Sequence, residues 1–422
     1  MPVKHTPVEQ LRVKHRMDVV LALRDHTVAA GNAAAAVPPE NALSRSALCE
    51  LLGHSSTTMT KVIADLRGLG WVSESETQRL SDVGRPRTAL RLHAGKCQVM
   101  AITIEPFALH WAVIGLDLEI VASGTQACLV FAQATGRTLR DLARLVQAWR
   151  MRARGATSDT LRAISIALPG MTDTQLRVTL FSRQLGWNNL DIATPLEAAT
   201  GLPVLVHNNT RAMGFAEFRY LGLHENEPML FVQARYGLGA ALLNSARPSR
   251  HGHFGVSELG YLPLGRNRFA KTVPTDGTLV AVTNEAFLRR VLELPGADHG
   301  DGIDVLVEME RRRFAKDRTA VVLYRQTLDN LALGLGVAVD LLNPRIIVLG
   351  GIYALASAAF VAELGRRLAS RAQKSGATAP RIQHSQLGRM GALQGAAMVG
   401  FDRLLRDAAS YRPMHPALRE AA

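Results

Sequence analysis

Residues 204–220 read VLVHNNTRAMGFAEFRY. The apolar run at 204–206 ends in His207, Asn208 and Asn209, and a helical pattern follows with Ala212, Phe215, Ala216 and Tyr220 on one face. In an open α/β sheet the carboxyl end of a strand faces the ligand crevice. A carboxylate there could take a proton from a bound hydroxyl. An amide can hydrogen-bond that hydroxyl but cannot act as its base. Asn208 and Asn209 therefore suggest binding without proton transfer. The amides could also cap the following helix, and since one suffices for that, the other is left for a ligand. His207, His251 and His253 are spaced across a loop, which favours solvated or core roles over a metal trio. Cys49, Cys97 and Cys128 are far apart and form no CxxC pair. Neither structural zinc nor a disulfide framework is expected, and no cofactor; the pattern fits a reducing cytoplasm.

A second set of residues could contact nucleic acid. The stretch LSRSALCELLGHSSTTMTKVIADLRGLGWV, residues 43–72, reads as two helices. Ser44 caps the first, which carries Leu48, Leu51 and Leu52 and ends at Gly53. Ser55 caps the second, in which Met59, Val62, Ile63 and Leu66 recur at core spacing. Such a pair joined by a glycine turn is a helix-turn-helix. The outward face of its second helix offers Ser56, Thr57, Thr60 and Lys61 to phosphates and base edges, and Ser44, Arg45 and Ser55 flank that face. Residues 71–72 and 89–92 read as two strands of a wing with GRPR near its tip, which would bring Arg85 and Arg87 to a minor groove.

These groups need elements to hold them. With 422 residues, 47% hydrophobic and 20% charged, the chain has the composition of an ordinary globular protein too long for one core. No apolar run approaches the roughly 18 residues of a membrane span, and the N-terminus has no apolar signal core. The net charge of +13 suits an anionic partner. A second basic cluster at 137–155 reads as a solvated helix face. Residues 8–27 form an amphipathic helix with Val8, Leu11, Val19, Leu21 and Leu23 as its apolar positions; an Ala/Gly/Pro-rich stretch follows at 27–41. From residue 97 the texture becomes α/β: three strands, a helix and a strand, then after the 210–221 helix two more strands, long helices near 283–293, 301–314 and 316–342, and a strand at 345–351. The expected organisation is a winged helix-turn-helix DNA-binding domain at 1–96. An α/β body of two lobes follows at 97–422, with the C-terminal helix returning to the first lobe.

The chain resembles the ROK family of sugar kinases and sugar-responsive transcription factors. The resemblance is carried by ALPGM (167–171), SRQLGW (182–187), VHNNTRAMGFAE (206–217), ARYGLGAALLN (234–244), GVSELGYLPLG (255–265), LLNPRIIVLGG (341–351) and LGRMGALQGAA (387–397), in the family's order. It implies an actin-like two-lobed sugar-kinase fold behind the DNA reader, assembled as a homodimer or homotetramer. It implies a sugar site at Asn208, Asn209, Glu258 and Tyr261, with Gln184 and Trp187 opposite. The departures are equally specific. The family's kinases open their body with Asp-x-Gly-Gly-Thr, where this chain has Glu105-Pro106-Phe107; Pro106 removes a backbone donor from that turn. They place an aspartate base at the position of Asn209. The family's zinc-ligand positions fall at Tyr261 and near Lys271, Val273 and Thr278, and a late sugar-binding glutamate falls at Val280. The reading is a transcriptional regulator of the repressor type, not an enzyme, with an operator DNA and a sugar or sugar derivative as partners. Its rivals are an active carbohydrate kinase fused to a DNA reader, and a ligand-free regulator whose body is a dimerisation scaffold.

Overall fold

The structure is a computed structural model that describes residues 7–29, 43–76, 88–127, 135–152, 160–223, 227–244, 256–295 and 304–410. Arg85, Arg87, His251, His253 and Cys128 lie outside these residues.

Helix α1 (Pro7–Ala29) precedes α2 (Arg45–Leu52) and α3 (Ser56–Gly68). Ser44 Oγ accepts from the Ala47 N–H, and Ser55 Oγ accepts from the Thr58 N–H, so both helices start at capped ends. Gly53 ends α2 with φ 65°, a left-handed conformation that favours glycine. Met59, Val62, Ile63 and Leu66 bury one face of α3. Strands β1 (Val72–Glu76) and β2 (Thr88–Leu92) pair antiparallel, and Ser44 bridges to Ala89 beside them. Three apolar positions point outward instead of into the core: Val8, Leu11 and Leu51 are exposed. The first turns of α1 run past the core, whose buried stripe lies further along, at Val13, Met17 and residues 19–23.

The body begins with β3 (Gln98–Ile104), β4 (Ala108–Gly115), β5 (Ile120–Ala127), α4 (Thr135–Arg152) and β6 (Leu161–Leu168). Next come three short strands, β7 (Met171–Thr172), β8 (Val178–Ser182) and β9 (Trp187–Asp191), then α5 (Ala193–Thr200), β10 (Val204–Asn208) and α6 (Asn209–Tyr220). The first large sheet has the order β10-β6-β3-β4-β5. The β7-β8-β9 sheet is an addition to the sequence reading; β9 alternates poorly and its middle is exposed, so periodicity gave no signal for it.

The second lobe holds β11 (Met229–Ala234), β12 (Leu238–Leu243), β13 (Val256–Ser257), α7 (Glu285–Val291), α8 (Val305–Phe314), α9 (Arg318–Leu342), β14 (Ile346–Gly351), α10 (Ala358–Ser375) and β15 (Arg381–His384). Its sheet runs β13-β12-β11-β14-β15. The final helix, α11 (Gly391–Ser410), leaves this lobe and packs on α6, β3 and β6 of the first. Among the described residues no helix is long and apolar enough to cross a membrane.

Helix α6 lies between the two sheets. Ala212, Met213, Phe215, Ala216 and Phe218 share a core with Phe231 and Leu243 of the second lobe and with Ala397 and Phe401 of α11. Packing on both sides explains why Met213 and Phe218 are buried as well as the apolar face of Ala212, Phe215 and Ala216. The helices approach closely: a Cβ at Gly395 would stand 2.1 Å from the Ala212 carbonyl oxygen. The far end of α6 enters a buried charge cluster. Arg24 of α1 lies 2.5 Å from Asp402 of α11 and 2.7 Å from Asp25, while Arg219 of α6 pairs with Asp25 and, at 3.2 Å, with Asp402. Arg24 and Asp402 are fully buried. Burial pulls the Arg24 pKa down, but Asp25 and Asp402 outweigh it and the net direction is up.

Asp402→Ala leaves Arg24 charged inside the protein, and we expect it to lower the unfolding free energy by about 3–5 kcal/mol. The apolar pair Arg24→Met with Asp402→Leu should recover much of that loss. Urea denaturation of the three proteins is the measurement. Unchanged stability in Asp402→Ala would show that the cluster does not hold α1 to the body.

Candidate functional site

A cavity of about 310 Å³ opens between the lobes. It gathers Asn208, Asn209, Glu258, Tyr261 and Gln184 from three separate stretches of the sequence, and Val280 lines it as well. Asn208 is buried and bonded at both ends of its amide: its Oδ1 accepts from the Arg211 N–H at 2.9 Å and its Nδ2 donates to the Gly170 carbonyl at 2.8 Å. It is the cap of α6. Asn209 is half-buried on the cavity wall, with its Oδ1 accepting from the Thr210 N–H at 2.8 Å. Of the two amides, Asn209 is the better placed to meet a ligand. Glu258 is open to the cleft on one side, and the protein on its other side pushes its carboxyl above the usual range by desolvation. A carboxyl in that environment is a strong acceptor for ligand hydroxyls. Trp187 does not join this wall; it is buried in the first lobe's core, because β8 and β9 turn its ring inward.

The cleft is also bridged directly. Glu105, in the turn between β3 and β4, accepts from Arg235 Nη1 at 2.7 Å across the lobes. The Phe107 and Tyr236 rings meet edge to face with centroids 6.0 Å apart, and the Arg235 guanidinium lies over the Tyr236 ring. Glu105 also has His110 within 3.6 Å. The Glu105–Arg235 pair joins residues 130 positions apart, and only the folded topology brings them together; periodicity carries no trace of it. The hairpin tip at 183–186 crosses too: Arg183 lies over the Tyr261 ring at 5.7 Å, and a Cβ at Gly237 would stand 2.7 Å from Gln184 Nε2.

His207 is buried, with its Nε2 2.9 Å from Ser165 Oγ, and desolvation drops its pKa to about 3. It is a neutral core histidine. Among the described residues no group of three or more His, Cys, Asp or Glu side chains is placed to hold a metal ion.

The α3 surface presents Ser56, Thr57, Thr60 and Lys61, all exposed. Thr60 Oγ1 donates to the Ser56 carbonyl at 2.9 Å. Ser55 is exposed and acts as the cap. Ser44, expected to flank the DNA-facing surface, is buried instead: it is bonded to Ser46 Oγ at 2.9 Å and accepts from the Ala47 N–H as the cap of α2. Arg45 and Arg67 converge on Glu74 of β1, which ties the ends of α2 and α3 to the hairpin. Arg12 of α1 pairs with Asp65 of α3.

A family model described as the ROK family matches residues 109–402. A putative xylose repressor of Caldicellulosiruptor sp. (strain Rt8B.4) is 21% identical over 339 residues, covering 78% of this chain and 84% of that protein. The DNA-binding transcriptional dual regulator NagC of Escherichia coli (strain K12) is 22% identical over 371 residues, covering 85% and 88%. The crystal structure of a ROK family transcriptional regulator, a homolog of the E. coli MLC protein, superposes with a TM-score of 0.67 at 20% identity, covering 94% of this chain and all of that one. The two α/β lobes are those of the actin-like sugar-kinase fold.

The depressed pKa of His207 makes a signed prediction. The unfolded chain takes up a proton near pH 6.5 that the folded chain refuses until about pH 3. Its stabilising contribution is therefore complete above pH 6.5 and is lost as pH falls. Between pH 7 and 5 the loss is about 2 kcal/mol. His207→Gln should lose correspondingly less stability over that interval, by urea denaturation at each pH. Equal pH slopes in both proteins would place the histidine proton elsewhere.

Proposed function

The chain belongs to the ROK family, and from that premise we propose that it is a DNA-binding transcriptional regulator of the repressor type whose kinase-like body senses a sugar or sugar derivative. The observation that carries this reading is α3: one face is core, and the other is a polar surface of Ser56, Thr57, Thr60 and Lys61 held by capped ends. With α2 and the β1–β2 hairpin it makes a winged helix-turn-helix, and α3 is its recognition helix. A homodimer would present two such helices to an operator in the cytoplasm. The net charge of +13 favours an anionic partner at long range.

The cleft supports sensing rather than phosphoryl transfer. Phosphoryl transfer needs a cradle for phosphates and a positioned base. Here Glu105 puts a carboxylate at the turn where the family's kinases wrap phosphates, and Arg235 is already paired with it. Asn209 can orient a hydroxyl but cannot deprotonate it. A fused active kinase is therefore the weaker rival.

Sensing requires coupling, and α6 offers a route. It starts at Asn208 and Asn209 in the cleft and ends at Arg219 in the charge cluster with Arg24 and Asp25 of α1. From α1, Arg12 reaches Asp65 of α3. A ligand that prefers one lobe arrangement thereby biases the position of the recognition helix.

Two full-length variants test the reading. Operator fragments selected from genomic DNA should bind Lys61→Ala more weakly, with the salt slope reduced by about one. Glu258→Ala should keep its operator affinity and lose about tenfold in effector affinity. Operator titrations with and without effector read both. Wild-type binding and slope in Lys61→Ala would move the DNA surface away from α3, and a wild-type effector response in Glu258→Ala would move the sensor out of the cleft.

A further inference from the structure

Four charged side chains line the cleft: Glu105, Arg183, Arg235 and Glu258. Two of them neutralise each other, since Glu105 holds Arg235 at 2.7 Å. Among the described residues no cation is ion-paired to Glu258, which is exposed to the cleft and left to accept from hydroxyls. Arg183 is the remaining charge. Among the described residues no carboxylate is hydrogen-bonded or ion-paired to it. Asp276 is close enough to feel its field, but the Asp276 Oδ1 takes the Thr278 N–H and hydroxyl at 3.0 and 2.6 Å.

Packing rather than charge puts Arg183 where it is. Ser182 pairs with Trp187 across the base of the hairpin, and the Leu185 N–H reaches Ser182 Oγ at 3.4 Å. Behind it, Gly170 has φ 124° and a Cβ there would meet the Phe181 carbonyl oxygen at 2.3 Å, so the hairpin seats flush on the chain beneath. In front, the guanidinium lies over Tyr261 and Gln184 rests against Gly237. A guanidinium seated on an aromatic ring keeps its planar fork of donors for a bidentate acceptor, and carboxylate and phosphate match that fork.

We propose that the cleft ligand is a hydroxyl-rich anion, with Glu258 and Asn209 reading hydroxyls and Arg183 reading a phosphate ester or carboxylate. This rests on the reading of the cleft as the sensor and specifies its ligand class. Neutral sugars satisfy Glu258 and Asn209 but leave the Arg183 fork to water. An anionic counterpart replaces that water with a charge-assisted pair, the stronger kind of hydrogen bond.

The test uses the full chain and matched sets of probes: neutral pentoses and hexoses, their terminal phosphates, the corresponding uronic acids, and inorganic phosphate alone. Calorimetric titration gives the affinity ratio of each anion to its neutral parent. The expected ratio is about tenfold or more for the phosphate or the uronic acid series; which series wins identifies the source of the anion. In Arg183→Gln the ratio should fall towards one, and Arg183→Lys, which keeps the charge without the fork, should be intermediate. Because the readout is a ratio, a general weakening of the cleft does not mimic it. Neutral sugars binding as tightly as their anions would overturn the proposal while leaving the sensor reading intact. So would a preference that survives Arg183→Gln, or inorganic phosphate binding as well as the sugar phosphate. Failure of every sugar and sugar anion to bind would overturn both.

Discussion

Two arginines and two aspartates meet where three helices cross: Arg24 and Asp25 from α1, Arg219 from α6 and Asp402 from α11. Taking these charges out of water is expensive, and their mutual attraction offsets it only while the partners face each other; at Arg24 the aspartates prevail, while at Arg219 desolvation still holds the pKa down. Apolar packing tolerates small slips along a helix axis; a buried ion pair does not, because a slip leaves a charge without its partner. The cluster therefore sets the register of α1 against the body. Around it the apolar contacts are continuous, with Val20 and Leu23 in the same core as Leu48 and Ile63 on one side and Phe218 and Phe401 on the other. Helix α1 belongs mechanically to both parts of the chain, although it precedes the helix-turn-helix in sequence.

Helix α6 inherits its constraints from both ends. Its start is pinned by Asn208, which caps the helix and holds the Gly170 carbonyl. Its middle is wedged against α11 at Gly395 and against Phe231 and Leu243 of the second sheet, where a Cβ on Gly214 would stand 2.8 Å from Leu243 Cδ2. Its end is in the charge cluster. A close-packed helix with no slack moves as a unit with its neighbours. Rearrangement of the lobes must then either carry α6 along or break contacts that are costly to lose, and in both cases α1 feels it.

Much of this was legible in the sequence because it depends on local chemistry. Ser44 and Ser55 as caps, Gly53 as a left-handed terminator, and the spacing of Met59, Val62, Ile63 and Leu66 all declare themselves within one or two helical turns. The apolar strands β3, β6, β10, β11 and β14 were equally plain, since buried parallel strands read as continuous apolar runs. What escaped depends on distance. Leu51 looks like core by type and spacing, yet among the described residues no element covers it. Ser44 has the chemistry of a DNA contact, but its cap geometry turns it inward. Trp187 sits in a motif beside Gln184, but Trp187 opens β9 with its ring in the core while Gln184 lies in the hairpin turn and lines the cleft. Glu105 and Arg235 find each other only when two lobes face, and nothing in either neighbourhood announces the pairing.

That pairing changes what a ligand has to do. In the kinases that the body resembles, a glycine-rich turn leaves backbone donors for phosphates. Here Glu105 supplies a carboxylate and Pro106 withdraws a donor, so the charge that meets Arg235 is part of the chain. The Phe107–Tyr236 contact adds an apolar seam beside it. The lobes are thus held together without a bound anion at that end of the cleft. A ligand at the other end, beside Asn209, Glu258 and Arg183, need not supply the whole free energy of closure. On the sensor reading it would need only enough differential affinity to add to the Glu105–Arg235 and Phe107–Tyr236 contacts that already join the lobes. On the regulator reading proposed above, most of the ligand's binding free energy would then appear as occupancy, and a modest part of it would move α3.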